Sequence, residues 1–448
     1  MIILQAETMH PEHKPTTIAF LPEELLVEIF IYHWRENFPN CTCRPELTLS
    51  HVNQCWRAIS IATPRLWTRV NRLASQKRLE PIAAYLARSK QMPIDLVVVM
   101  SPDTLDDISE LCVVIQPHLH LLRKFEFHDY SQATGGTLFR MMTTLHAPFL
   151  QFMHLSPEWH YRDSANGQTT LFEGGVPRLN YVSLNKVIQP GLAFPHHSVT
   201  HLMLRLDLYK GNKEESYSWI TAQLTGCPQL VYLDIGVLPW QQDWVHSGIS
   251  ALPTLLTLEC KAIDWAGAAS LLRAFSLSAL QRLCINFCGN LCADTPIGQF
   301  DLPSLCTLAL SYPSFPWRQQ PFHSAAEAFP QITELSLCSF GAASAAKALC
   351  TFLCTAGTRD GRPWPHVDTL GMDSVPPCEQ LSAMLAQRAL EGHSVARLQI
   401  PKHSISDCEK VVRGLSAPVS VEEFGHEKPF SKGARDCLGI TPVSAQGH

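Results

Sequence analysis

Apolar residues follow two rhythms along this chain, and the change between them falls near residue 73. Before it, they recur at helical spacing. Leu21-Pro22-Glu23-Glu24 opens one segment with a proline and two acids, the residue types that suit the positive start of a helix. Leu25, Leu26, Ile29 and Phe30 follow as one wide apolar face. Asn37 to Pro45 holds two prolines in nine residues and reads as a loop. Leu49, Val52, Trp56 and Ile59, spaced 3, 4 and 3, predict a second helix. Thr63-Pro64 then reads as the cap and first turn of a short third helix carrying Leu66, Trp67 and Val70. Three such helices make a very small core, so the module must borrow burial from a neighbour or present apolar surface to a partner.

Beyond residue 73, Leu79, Ile82, Ala83 and Leu86 predict one more helix, and Pro93 to Val99 a buried strand. After that a phrase returns: apolar, two residues, apolar, one residue, apolar. It starts at Leu122, Leu150, Leu179, Val199, Leu230, Leu255, Leu280, Leu305, Ile332, Val367 and Val395, at intervals of 20 to 35 residues. Seven of the eleven starts have proline two residues earlier (Pro148, Pro177, Pro228, Pro253, Pro303, Pro330 and Pro365), where 32 prolines in 448 residues would give about one. Each phrase predicts a short strand with its alternate apolar residues facing inward, and proline suits the approach to a strand because no ladder donor is needed there. One such unit cannot bury its own face, so neighbours must stack. The expected architecture is a solenoid with a curved parallel sheet, α/β in class. Helical or irregular turns, such as 266–277 and 324–328, would form its outer layer. A last helix is expected at about Asp407 to Leu415, with residues 411–448 a loosely ordered tail and 1–17 a flexible one.

Composition narrows the function. Lys and Arg number 35 against 40 Asp and Glu, a net charge of −5, which argues against nucleic acid as the main partner. Charged residues make up only 17% of the chain, so much of it should be buried. Apolar runs such as Leu96 to Met100 are far too short to span a membrane, and the first residues lack the pattern of a signal peptide. The 16 cysteines are therefore expected to stay reduced, in an intracellular protein of the cytoplasm or nucleus. Cys41-Thr-Cys43 lacks the matching second pair of a zinc site, and Cys350 and Cys354 fit the buried stripe of a helix. None of the common nucleophile, phosphate-loop or zinc-protease motifs occurs, so neither a cofactor nor a metal is expected.

The motifs themselves are familiar. Leu21-Pro-Glu-Glu-Leu-Leu-x-Glu-Ile-Phe30, then Leu49-Ser-His-Val-Asn-Gln-Cys-Trp-Arg-x-Ile59, then Thr63-Pro-Arg-Leu-Trp67 resemble the F-box. The form is that of the large fungal families of F-box proteins. The match covers residues 18–72 and differs by a longer loop from His33 to Leu47. Residues 73–410 resemble the irregular leucine-rich repeats often found behind an F-box, without the usual ladder of Asn or Cys after the strand. The resemblance implies docking on the Skp-type adaptor of a cullin-RING ubiquitin ligase, through Leu21, Pro22, Leu25, Ile29, Leu49, Val52 and Trp56. The outward positions of the phrases would then hold a target protein, with Tyr232, Asp234, Glu259, Arg282 and Asn286 as the candidate contacts. The function this implies is substrate recognition within an SCF-type ligase, the chemistry being done by other subunits. Two alternatives are an interaction scaffold without a ligase role, and an enzyme whose site is assembled from scattered His, Asp and Cys.

Overall fold

The computed structural model describes residues 18, 21–36, 44–73, 78–100, 108–130, 141–157, 169–185, 192–205, 213–236, 250–262, 264–287, 298–311, 320–338, 343–354, 363–415 and 417–424. Within them lies one open parallel sheet of 14 strands whose order across the sheet is their order along the chain. The strands are β1 (Arg69–Arg72), β2 (Ile94–Met100), β3 (Leu122–Asp129), β4 (Phe152–Pro157), β5 (Tyr181–Asn185), β6 (His201–Arg205) and β7 (Tyr232–Ile235). They continue as β8 (Thr257–Ala262), β9 (Arg282–Phe287), β10 (Thr307–Ser311), β11 (Glu334–Cys338), β12 (Thr369–Met372), β13 (Arg397–Ile400) and β14 (Ser420–Glu423). All eleven repeated phrases become strands, β3 to β13.

Register turns the repeat into ladders. Val182, Leu202, Leu233, Leu258, Leu283, Leu308, Leu335, Leu370 and Leu398 stand side by side, one per strand. Because side chains alternate along a strand, this ladder and the one two residues on share a face. That face packs into one continuous core with the helices, Leu271 and Leu272 of one helix and Leu349 and Phe352 of another included. Those helices are part of the outer layer: α4 (Glu80–Ser89), α5 (Ile108–Ile115), α6 (Lys213–Thr225), α7 (Trp265–Ala274), α8 (Gln320–Ala328), α9 (Ala343–Cys354), α10 (Cys378–Leu390) and α11 (Ile405–Val412). Asp264 caps α7 by accepting from the Gly267 N–H at 2.8 Å.

The prolines have a more specific role than lacking a donor. In six of the seven phrases the apolar starting residue donates its N–H to the carbonyl three residues back, as in Leu150 to Ala147 and Leu305 to Leu302. Proline is thus the second residue of a β-turn, where its fixed φ is already correct. A Pro303→Ala variant is expected to lose about 0.5–1 kcal/mol of stability in urea unfolding, mainly through a looser unfolded chain. An unchanged midpoint would remove the turn from the account.

At the N-terminal end, α1 (Glu23–Glu36), α2 (Pro45–Ser50), α3 (Gln54–Ala62) and a 3-10 turn (Pro64–Trp67) pack onto the first strands. Leu26, Phe30, Leu49, Ile59, Leu66 and Trp67 belong to the same core as the sheet. Three expectations change here. The second helical period is broken in two, because the Asn53 side chain accepts from the Trp56 N–H at 2.8 Å and starts a new helix. Thr63 does not cap the third helix; its hydroxyl donates instead to the Ile59 carbonyl at 2.8 Å. Val70 lies in β1, so the sheet begins within the segment that the motif boundary had assigned to the helices.

The other boundary also moves. A tail was expected from residue 411, but Ser420–Glu423 pairs in parallel with Arg397–Ile400 and extends the sheet by a strand. Gly371 leaves room there for the Phe424 ring, which a Cβ would meet at 2.8 Å. The expected tail at 1–17 and residues 425–448 lie outside the described residues, as do Cys41 and Cys43. No helix among the described residues is long and apolar enough to cross a membrane.

Candidate functional site

Two surfaces stand out, one on the helices and one on the sheet. Helix α1 is apolar on more of its circumference than the core uses. Leu26, Phe30 and Ile31 point inward, each no more than 3% exposed. Leu25, Ile29 and Tyr32 of α1, with Leu21 two residues before its start, face solvent, 36% to 66% exposed, at spacings of four, four and three. Val52, in the turn after α2, is 55% exposed. Isolated exposed apolar residues are ordinary; a stripe of three on one helix, continued by the residue leading into it, marks a contact surface.

The seven residues assigned to docking therefore divide. Leu21, Pro22, Leu25, Ile29 and Val52 are exposed, whereas Leu49 is buried and Trp56 is half-buried. The Trp56 ring sits 4.8 Å from that of Phe30, so these two residues hold the shape that the other five display.

The helices are joined to the sheet by a polar and aromatic knot. Tyr85 of α4 donates to Glu46 of α2 at 2.5 Å. Its ring meets Trp67 edge-on at 4.9 Å, and the Arg88 guanidinium lies 4.3 Å from the Trp67 ring centre. Trp67 in turn donates its indole N–H to the Ser60 carbonyl at 2.7 Å. Burial pushes the Glu46 carboxyl above its usual range, against the hydrogen bond from Tyr85. Sequence periodicity offers no sign of Glu46, because a buried carboxylate breaks the apolar pattern.

On the sheet, the face away from the leucine ladders carries the polar positions. Its side chains cover one another. Tyr232, Asp234 and Glu259 are buried, 5%, 1% and 9% exposed, and only Arg282 and Asn286 are half-exposed as expected. The reason is spacing: adjacent strands are about 4.8 Å apart, so ladder neighbours lie in contact. Tyr232 donates to Glu259 at 2.9 Å and Asn286 donates to it at 3.0 Å. Arg282 stands in register with Thr257 and Thr307, on the same strand as Asn286 but four residues before it.

The polar system extends further than the five candidates. Lys124 pairs with Glu126 at 2.6 Å, and the His128 and His154 rings lie 4.9 Å apart. His154 shares a hydrogen bond of 2.8 Å with Ser183, and Asn185 donates to Ser156 at 3.0 Å. Arg205 donates twice to Asp234, at 3.3 and 3.1 Å. Alongside runs a stack of rings from Phe152 through Tyr181 and His201 to Tyr232, with centres 4.5, 6.2 and 5.8 Å apart. The residues beyond the five candidates were legible: with Met203 they are the third, fifth and seventh positions of the phrases at Leu122, Leu150, Leu179 and Val199. From β9 onward the face changes character, with Cys284, Ala309, Ser336 and Gly371 in adjacent positions.

Electrostatics follow from the packing. Burial opposes ionisation of Glu126, but His128 and the Lys124 ammonium beside it hold its pKa down at about 2. Burial, reinforced by His128, drops His154 to about 3, so its ring is neutral at physiological pH. Glu259 goes the other way: burial first, then the charge of Asp234, raise its carboxyl, against hydrogen bonds from Tyr232 and Asn286. A raised acid takes up its proton more readily when folded, so it costs stability as pH rises past the unfolded value near 4.3. A Glu259→Gln variant keeps partners for Tyr232 and Asn286 but carries no charge. It is expected to melt above the native chain at pH 8 and level with it near pH 4. A lower melting point at pH 8 would show that the carboxylate is favoured there.

No protein-family model matches the chain, and a search of the curated proteins finds no match either.

Proposed function

We propose that this chain is the substrate-recognition subunit of an SCF-type ubiquitin ligase, with an N-terminal F-box and an irregular leucine-rich-repeat solenoid. The observation that carries the reading is the unburied stripe of α1. Leu21, Pro22, Leu25 and Ile29 are among the positions that the F-box resemblance gives to the Skp-type adaptor, and all four are exposed. A helix whose whole apolar girth served the core would support only a structural cap.

The sheet supports the second half of the proposal. Eleven phrases stacked in register give a long open face of about 4.8 Å per strand, rigid enough to hold a protein target. Buried titratable groups on it are hydrogen-bonded to one another, an arrangement suited to shaping a surface. The chain would need no nucleophile, because transfer by the other subunits follows from proximity.

Calorimetric titration of the full chain with a Skp-type adaptor tests this. The expected result is a one-to-one complex with micromolar or tighter affinity. A folded chain that does not bind would leave an interaction scaffold with a helical cap.

A further inference from the structure

The open face sorts its charges by height. Its carboxylates between β2 and β8 are sunk: the side chains of Asp95, Glu126 and Asp234 are 8%, 10% and 2% exposed. Two guanidinium groups reach above them, Arg123 at 43% and Arg205 at 40% side-chain exposure. Short acids sit at the base while long cations extend past them, as their lengths dictate. Although the whole chain is acidic, with net charge −5, the solvent side of this part of the face is cationic among the described residues. Lys261 and Arg282 are half-exposed on it as well, and Glu334 on β11, half-exposed and accepting from Thr307, marks where the cationic stretch ends.

Both arginines are anchored with donors to spare. Arg123 gives Nε and Nη2 to the two oxygens of Asp95, each at 2.9 Å. Arg205 gives Nε and Nη2 to a single oxygen of Asp234. A guanidinium has five N–H groups, so each keeps about three for another acceptor. Each is also held in one orientation, which removes much of the entropy cost of a new pairing.

We propose that the face from β2 to β7 binds an extended acidic segment of a partner protein, with Arg123 and Arg205 each pairing one of its carboxylates. This deepens the receptor reading above and rests on it for the identity of the surface. Arg123 lies between β2 and β3 and Arg205 between β6 and β7, four strand spacings apart, or about 20 Å. An extended chain covers that distance in about six residues. The partner segment therefore carries two acids six residues apart and crosses the strands instead of adding to the sheet.

The test uses the full chain and fluorescence anisotropy of labelled ten-residue Gly/Ser peptides. One carries Glu at positions 2 and 8, one carries Gln there, and one carries Glu at positions 2 and 3. The widely spaced Glu peptide is expected to bind at least tenfold more tightly than the other two, and to weaken as salt is raised. Arg123→Gln and Arg205→Gln are each expected to lower that affinity tenfold or more, with Arg205→Lys between them and the native chain. Equal binding of the Glu and Gln peptides, no binding of any peptide, or unchanged affinity in the folded variants would overturn the proposal. Should Arg205→Gln fail to fold with Asp234 left alone, Arg123→Gln decides. Titration with the adaptor in parallel separates the two claims. A chain that takes the adaptor but no peptide loses only this inference. One that takes the peptide but no adaptor loses only the ligase reading.

Discussion

A Leu25→Asp, Ile29→Asp double variant is expected to lose adaptor binding by a factor of at least 100 while its melting temperature barely moves. Both side chains are largely solvent-exposed, 52% and 42%, so the fold does not depend on them. Surface substitutions of this kind change stability by about 0.5 kcal/mol or less. At the centre of an interface, each lost apolar anchor costs on the order of 2 kcal/mol, and a buried carboxylate without a partner adds to that. The control is Phe30→Ala, the residue next to Ile29 on the same helix but 0% exposed. It should cost about 3–5 kcal/mol of stability through the cavity it leaves. Adaptor titration and urea unfolding of the two variants together distinguish a docking stripe from a core face. If the double variant unfolds, α1 is packed more closely than its exposure shows. If it stays folded and still binds, the stripe is not the docking surface.

The second large effect concerns a residue that no pattern marks. Arg388 of α10 is 1% exposed, a cation inside the core. It donates to the carbonyls of His393 at 3.1 Å, Pro363 at 3.3 Å and Trp364 at 2.9 Å. Trp364 begins the proline turn that delivers Val367 to the start of β12, and its backbone has a φ of 47°. Arg388 thus ties the turn before β12 to the helix that follows that strand. An Arg388→Ala variant removes the donor that joins those carbonyls, leaves a cavity in the core and is expected to lose about 3–5 kcal/mol. Arg388→Lys should recover part of this, since an ammonium can serve some of the acceptors but not with the reach of a fork. Urea unfolding at constant pH measures both. A loss below 1 kcal/mol would mean that water replaces the guanidinium.

Legibility differed by type of interaction. Phrase spacing was enough to place β3 to β13, because a period-two strand with one buried face repeats the same demand on every turn of the chain. The short strand Ser420–Glu423 has no phrase; it is held by its neighbour and carries two glutamates at an edge. The split between α2 and α3 rested on one side chain, Asn53, and a capping bond competes with periodicity without altering it. All five candidate contacts stand on the face away from the leucine ladders, but Tyr232, Asp234 and Glu259 are buried there whereas Arg282 and Asn286 are half-exposed. Alternation shows which face a residue takes but not how closely the next ladder position covers it.

By itself, the sequence determined the parallel sheet, the order of its strands and the first N-terminal helix, since each of these is a local period repeated until its apolar faces have only one way to stack. Tertiary structure alone decided which side of α1 stays in water, which carboxylates sink beneath the arginines, and where Arg388 and Glu46 find their partners. Most of those outcomes depend on residues more than 20 positions apart meeting, the arginines and carboxylates across strands about 4.8 Å from one another and Glu46 and Arg388 between packed helices and turns. Distances of that kind are not written in any local pattern.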